Sequence, residues 1–138
     1  MLFRSLGMPV ARSNEAWLWI EADVEDLDEE LVVGYAIYAE DGMPVFTSYP
    51  TDGLDSTWPP ASTGKIVLTT RLPLELLNQG RFRVELVAFI RLREWLFQPG
   101  KNAPFVYFEA TGPAGDAPEV GIPRLGPLAP VLPWRVGA

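Results

Sequence analysis

The stretch from Gly34 to Phe89 constrains the fold most. Two apolar runs, Leu31–Ala39 and Met43–Tyr49, flank Asp41-Gly42, a pair that tolerates positive φ and so permits a tight antiparallel turn. Further on, Gly64–Leu72 has strand character, and Leu72-Pro-Leu-Glu-Leu-Leu77 follows it. Pro73 suits a first helical position and Gly80 a stop, so only about one turn of helix fits between them. From Arg81 to Arg91 the pattern returns to period two, placing Phe82, Val84, Leu86, Ala88 and Ile90 on one face. Strands joined by short turns, with no long helical pattern, predict one all-β sandwich.

Other strands extend this reading. Ala16–Ala22 alternates Leu18, Ile20 and Ala22 against Trp17, Trp19 and Glu21. In Leu31–Ala39, Val33, Tyr35 and Ile37 share the core face, opposite Gly34, Ala36 and Tyr38. In Pro104–Ala110, Val106 and Phe108 oppose Phe105 and Tyr107. Residues 1–15 read as a lead-in with a short edge strand around Leu2–Arg4, and 16–110 as the sandwich. Residues 50–63 and 92–102 read as loops. Residues 111–138 hold six of the fourteen prolines and five of the twelve glycines, yet include Leu128, Val131, Leu132 and Trp134. That mixture stays extended but is too apolar for a solvated tail, so the expectation is an arm that docks on another surface.

Composition removes several function classes. The chain has no cysteine, hence no disulfide or thiolate chemistry, and no histidine, the commonest general base and metal ligand. No apolar run reaches the roughly 20 residues of a membrane helix, and the N-terminus lacks the form of a secretion signal; the expectation is a cytoplasmic protein with no direct membrane insertion. The net charge of −7 lies in residues 21–30, which carry seven acids and no base. An acidic chain without a basic patch argues against nucleic acid. Arg81, Arg83, Arg91 and Arg93 alternate with apolar residues, as on a solvent-facing strand face.

The motifs are weak. Thr63-Gly64-Lys65 has the Gly-Lys of a phosphate loop, but Pro59 and Ile66 stand where the first Gly and the final Ser or Thr belong. No nucleotide cofactor is expected. Asp23, Glu25, Asp26 and Asp28 are hard oxygen ligands without the spacing of a helix-flanked calcium loop; they read as a solvated loop, with an interstrand calcium site as the alternative. Glu85 and Glu109 invite comparison with a carboxylate pair facing across neighbouring strands, and Ser48 has no histidine partner. The chain reads as non-enzymatic.

The aromatics carry more. If the strands at 31–39, 81–91 and 104–110 share a sheet, its outer face presents Tyr38, Arg83, Glu85, Phe89 and Tyr107. Aromatic planes flanked by carboxylate and guanidinium suit sugars, whose C–H faces stack while their hydroxyls hydrogen-bond. The competing reading has the C-terminal arm covering this face.

Taken with Val33-Gly-Tyr-Ala-Ile37, Val45-Phe46, Leu72–Val84, Phe105-Val-Tyr-Phe-Glu109 and Gly126-Pro-Leu-Ala-Pro-Val-Leu-Pro-Trp134, the chain resembles the C-terminal carbohydrate-binding domain of the ATP-binding subunit of bacterial O-antigen ABC exporters, the Wzt C-terminal family. The resemblance covers residues 16–136. It implies an immunoglobulin-like antiparallel β-sandwich that recognises a lipopolysaccharide O-polysaccharide before export. It also implies a homodimer with exchanged C-terminal strands, for which Val131, Leu132 and Trp134 are the expected docking residues. Members of the family carry an ATPase domain ahead of this one. Here Met1 stands about 15 residues before the first confident strand, so two expectations stay open: a separate or truncated module, with a separately encoded ABC transporter as a candidate partner holding it at the inner membrane, or a module whose role differs. A sandwich used for protein–protein assembly without sugar is the alternative.

Overall fold

The computed structural model describes residues 2–3, 9–25, 28–59, 63–112 and 124–137. Among these residues nine strands are present: β1 (Leu2–Phe3), β2 (Pro9–Ala11), β3 (Trp17–Val24), β4 (Leu31–Ala39), β5 (Pro44–Ser48), β6 (Gly64–Arg71), β7 (Gly80–Ile90), β8 (Glu94–Phe97) and β9 (Phe105–Thr111). Among the described residues there is no α-helix, only single 3₁₀ turns at Pro50–Asp52, Asp55–Thr57 and Leu74–Leu76. The smaller sheet has the order β1-β3-β6. The larger runs β2-β9-β7-β4-β5, with β8 added beside β7. Every pairing is antiparallel except that of β2 with β9.

The two sheets bury their facing residues against one another, and the alternation read in the sequence holds. Leu18 and Ile20 of β3 meet Val33, Tyr35 and Ile37 of β4, Phe82, Val84, Leu86 and Ala88 of β7, and Val106 and Phe108 of β9. Each such side chain withdrawn from water contributes about 1.5–3 kcal/mol. Phe82 and Phe108 stack with ring centroids 5.4 Å apart. Leu72, Leu74 and Leu77, around the Leu74–Leu76 turn, join this core. The β4–β5 hairpin turns where expected: Gly42 takes φ +88°, and the Asp41 carboxylate accepts the Met43 N–H at 2.9 Å.

Three expectations change. Pro9–Ala11, inside the segment read as a lead-in, pairs with Glu109–Thr111. Residues 92–102, read as loop, contain β8. Its turn was hidden because Leu92, not glycine, takes the positive φ of 61°. The C-terminal segment also folds back further than its proline content suggests. Leu128 bridges Leu77, Ala129 N–H donates to the Leu76 carbonyl at 2.8 Å, and the Asn78 amide donates to the carbonyls of Arg124 and Gly126. Arg12, itself buried, donates from Nη2 to the carbonyls of Glu75 (3.1 Å) and Ala129 (2.8 Å). Prolines keep this segment extended and leave its carbonyls available to such donors. Beyond Pro130 the chain leaves the sandwich, with Val131 and Leu132 exposed and Trp134 at 92% exposure. Residues 113–123 of the expected arm lie outside the described residues, as does Asp26 of the acidic run.

Candidate functional site: the outer face of the larger sheet

Strands β4, β7 and β9 are neighbours, so their outward residues form rows set by register. Tyr38 lies opposite Arg83, and Arg83 opposite Tyr107. The next row is Ala36, Glu85 and Phe105, and further along come Gly34 with Val87 and Val32 with Phe89. Three of the five residues singled out in the sequence, Tyr38, Arg83 and Tyr107, therefore stand together.

This row is tied by cation–π contacts. The Arg83 guanidinium sits 5.2 Å from the Tyr38 ring centroid and 5.7 Å from that of Phe105. Arg81 lies 4.1 Å over Tyr107, and Phe105 meets Tyr107 edge-on at 5.5 Å. Such contacts hold flexible arginines against aromatic planes. Burial, then the nearby Glu85 carboxylate, raise the Tyr38 phenol above its ordinary pKa, with Arg83 opposing them. At neutral pH the phenol therefore remains a hydrogen-bond donor. Phe105 is half exposed and belongs to this cluster, as does Arg81; neither stood among the expected site residues, although Phe105 shares the alternation of Tyr107.

Glu85 is placed differently from the expectation of a sugar-contacting carboxylate. It is only 4% exposed. Its Oε2 accepts the Gly100 N–H at 2.7 Å, which brings the loop after β8 over the sheet. Its Oε1 lies 3.1 Å from Arg83 Nε, but that N–H is not aligned for a hydrogen bond, so the contact is an ion pair. Glu85 thus positions Arg83 and the loop. Nor does it form a carboxylate pair with Glu109: Glu85 opposes Phe105, and Glu109 opposes Arg81. Without that juxtaposition the two-carboxylate reading has no geometry here.

Phe89 stands apart from the row. Six residues along β7 separate it from Arg83, about 20 Å at a strand's rise. It packs edge-on against Tyr49 at 5.7 Å and Trp95 at 5.3 Å. Between the two clusters the face is closed, since Ala36 and Val87 are buried. The covering elements are Tyr49, just past the end of β5, Trp95 of β8 and the loop through Gly100; Tyr49 closes the run read as a strand, and Trp95 lies in the stretch read as a loop.

Elsewhere, a cavity of about 350 Å³ opens where β3 approaches β9, lined by Trp17, Trp19, Val84, Val106, Tyr107 and Phe108 among others. Gly64 and Lys65 begin a strand, and Lys65 pairs with Glu21 at 3.5 Å. Asp28, from the acidic run, pairs with Arg93. No helix among the described residues is long and apolar enough to cross a membrane.

No family model matches the chain, and no curated protein does. Among solved structures its fold is similar to the crystal structure of the C-terminal domain of Wzt, with a TM-score of 0.59 at 12% identity, over 94% of this chain and 74% of that one. At that identity the likeness establishes a shared all-β sandwich fold.

Proposed function

We propose that this protein is a non-catalytic module that recognises a bacterial O-antigen-type polysaccharide for export by an ABC transporter. One observation carries the reading. The row Tyr38, Arg83 and Tyr107, half-exposed, with the exposed Arg81 and Phe105, joins aromatic planes to guanidinium donors on one part of the outer sheet face. Sugar rings need that combination, an apolar face to stack on and donors for their hydroxyls. The fold shared with the Wzt C-terminal domain supports it. On this reading Glu85 acts through Arg83 rather than on the ligand, and the protein works in the cytoplasm beside an ABC transporter. On this reading it neither binds ATP nor hydrolyses its ligand; the Gly64-Lys65 pair begins strand β6 rather than closing a phosphate loop.

The module is further proposed to act as a homodimer, with Val131, Leu132 and Trp134 of one protomer docking on its partner beside Phe105–Glu109. The exposure of these residues beyond the anchored Ala129 supports this, as does the open flank near Trp17, Trp19 and Tyr107. The same two features favour the second reading, a protein–protein assembly module without sugar.

The test is a bacterial glycan array probed with the full chain and with Tyr38→Ala and Tyr107→Ala. Loss of a stacking ring should lower affinity about fivefold or more with the circular dichroism spectrum unchanged. Unfolding of these variants would show the rings to be structural, and an array without a bound polysaccharide would leave the assembly reading.

A further inference from the structure

The outer face carries a second aromatic station, and its construction goes beyond what covering the sheet requires. Gly34 lies on that face. A Cβ there would collide with the Ser48 carbonyl oxygen and stand 2.6 Å from Tyr49 Cδ1, so only the missing side chain lets the Tyr49 ring rest on the sheet. Tyr49 is held from its backbone, since its N–H donates to Asp52 Oδ2 at 2.9 Å. Its ring meets Phe89 edge-on at 85°, and Phe89 in turn meets Trp95 at 63°. Trp95 reaches this place as the cross-strand neighbour of Phe89 on the β7–β8 hairpin.

Trp95, the outermost ring of the cluster, is 50% exposed, and its indole N–H has no hydrogen-bond partner among the described residues. An apolar plane with a free donor at its rim matches the first station in kind. The two stations lie along one strand, β7, separated by the loop that Glu85 holds down through Gly100. The exposed Lys101 follows in that loop.

We infer that Tyr49, Phe89 and Trp95 form a second sugar-stacking site, and that the protein therefore engages a run of several sugars along a glycan chain rather than a single sugar. This rests on the glycan reading above. A span of about 20 Å along the strand exceeds a disaccharide, so short fragments occupy one station at a time. A chain long enough to reach both converts its second contact into an intramolecular one, and affinity rises without a new kind of contact.

The experiment immobilises bacterial O-polysaccharides, each as intact polymer, octasaccharide and disaccharide. It compares the full chain with Trp95→Ala, Trp95→Phe and Tyr38→Ala. For any polymer bound, the octasaccharide should bind about tenfold or more tighter than the disaccharide. Trp95→Ala should lower octasaccharide affinity about fivefold, and Trp95→Phe should recover most of the loss by restoring a ring. Equal affinity of the unaltered chain for both fragment lengths overturns the second station whatever the variants do. So does a Trp95→Ala protein that binds polymer normally while Tyr38→Ala does not, an outcome that leaves the first station standing. Absence of any bound polysaccharide overturns both.

Discussion

Glu85 offers the sharpest test of how the site is held, because one buried carboxylate serves two partners. In Glu85→Ala the Gly100 N–H loses a charged acceptor at 2.7 Å, a contact worth about 1.5–3 kcal/mol. The Arg83 ion pair adds less. That arginine side chain is 31% exposed, so water screens it, and about 0.5–1 kcal/mol is appropriate. The expected destabilisation is therefore roughly 2–4 kcal/mol. Glu85→Gln retains an acceptor for Gly100 and loses only the charge, so it should cost about 1 kcal/mol. Urea unfolding at neutral pH reads both as midpoint shifts at constant slope, and amide exchange at Gly100 should accelerate in the alanine variant alone. If both variants cost the same, the ion pair and not the loop anchor dominates. If Glu85→Ala costs less than about 0.5 kcal/mol, the carboxylate is not what holds the loop.

Three further outcomes are expected. Arg12→Ala should destabilise by about 2 kcal/mol, since it removes both carbonyl contacts of a buried guanidinium, with faster amide exchange at Ala129 and Asn78; unchanged exchange at Ala129 would refute the anchor. Asp28 is held below the ordinary carboxylate pKa, first by the Glu30 N–H and then by Arg93, so its contribution is present above the unfolded-state pKa and lost as pH falls through the lowered one. Asp28→Asn should accordingly be less stable than the parent at neutral pH and indistinguishable from it in strong acid, and a difference that persists in acid would contradict this. Removing residues 131–138 should convert a dimer to a monomer by light scattering, whereas a monomeric full chain or an equally dimeric shortened one would locate the interface elsewhere.

Much of the site was legible because β4, β7 and β9 alternate without interruption. Once three such strands share a sheet, parity alone decides that Tyr38, Arg83 and Tyr107 face the same way as one another. What parity cannot convey is cover. Glu85 has the parity of a solvent-facing residue, yet a loop from outside the alternation lies over it and makes it a buried anchor. Phe89 has the same parity and packs against Tyr49, just past β5, and Trp95 of β8. The β7–β8 hairpin was missed because its positive-φ position holds Leu92, where a turn signal would be glycine or asparagine. The docking of 124–130 depends on Asn78 and Arg12, donors remote in sequence whose side chains find main-chain carbonyls. Nothing in the periodicity of either segment announces that.

The Arg12–Ala129 contact joins positions 117 apart in the chain, and β2 meets β9 at comparable separation. The β4–β5 hairpin, by contrast, closes over a few residues. Loop closure at such range contributes nothing until most of the intervening chain is ordered, so folding should begin near the Asp41-Gly42 turn and finish with β2, Arg12 and the segment 124–130. Until that last step, the Pro9–Ala11 side of β9 stands as an uncovered strand edge, the kind of surface that pairs with other chains. Pairing of β2 with β9 closes that edge, and the buried Arg12, one residue beyond β2, then fixes the strand through the carbonyls of Glu75 and Ala129: a single side chain marks the end of the vulnerable interval.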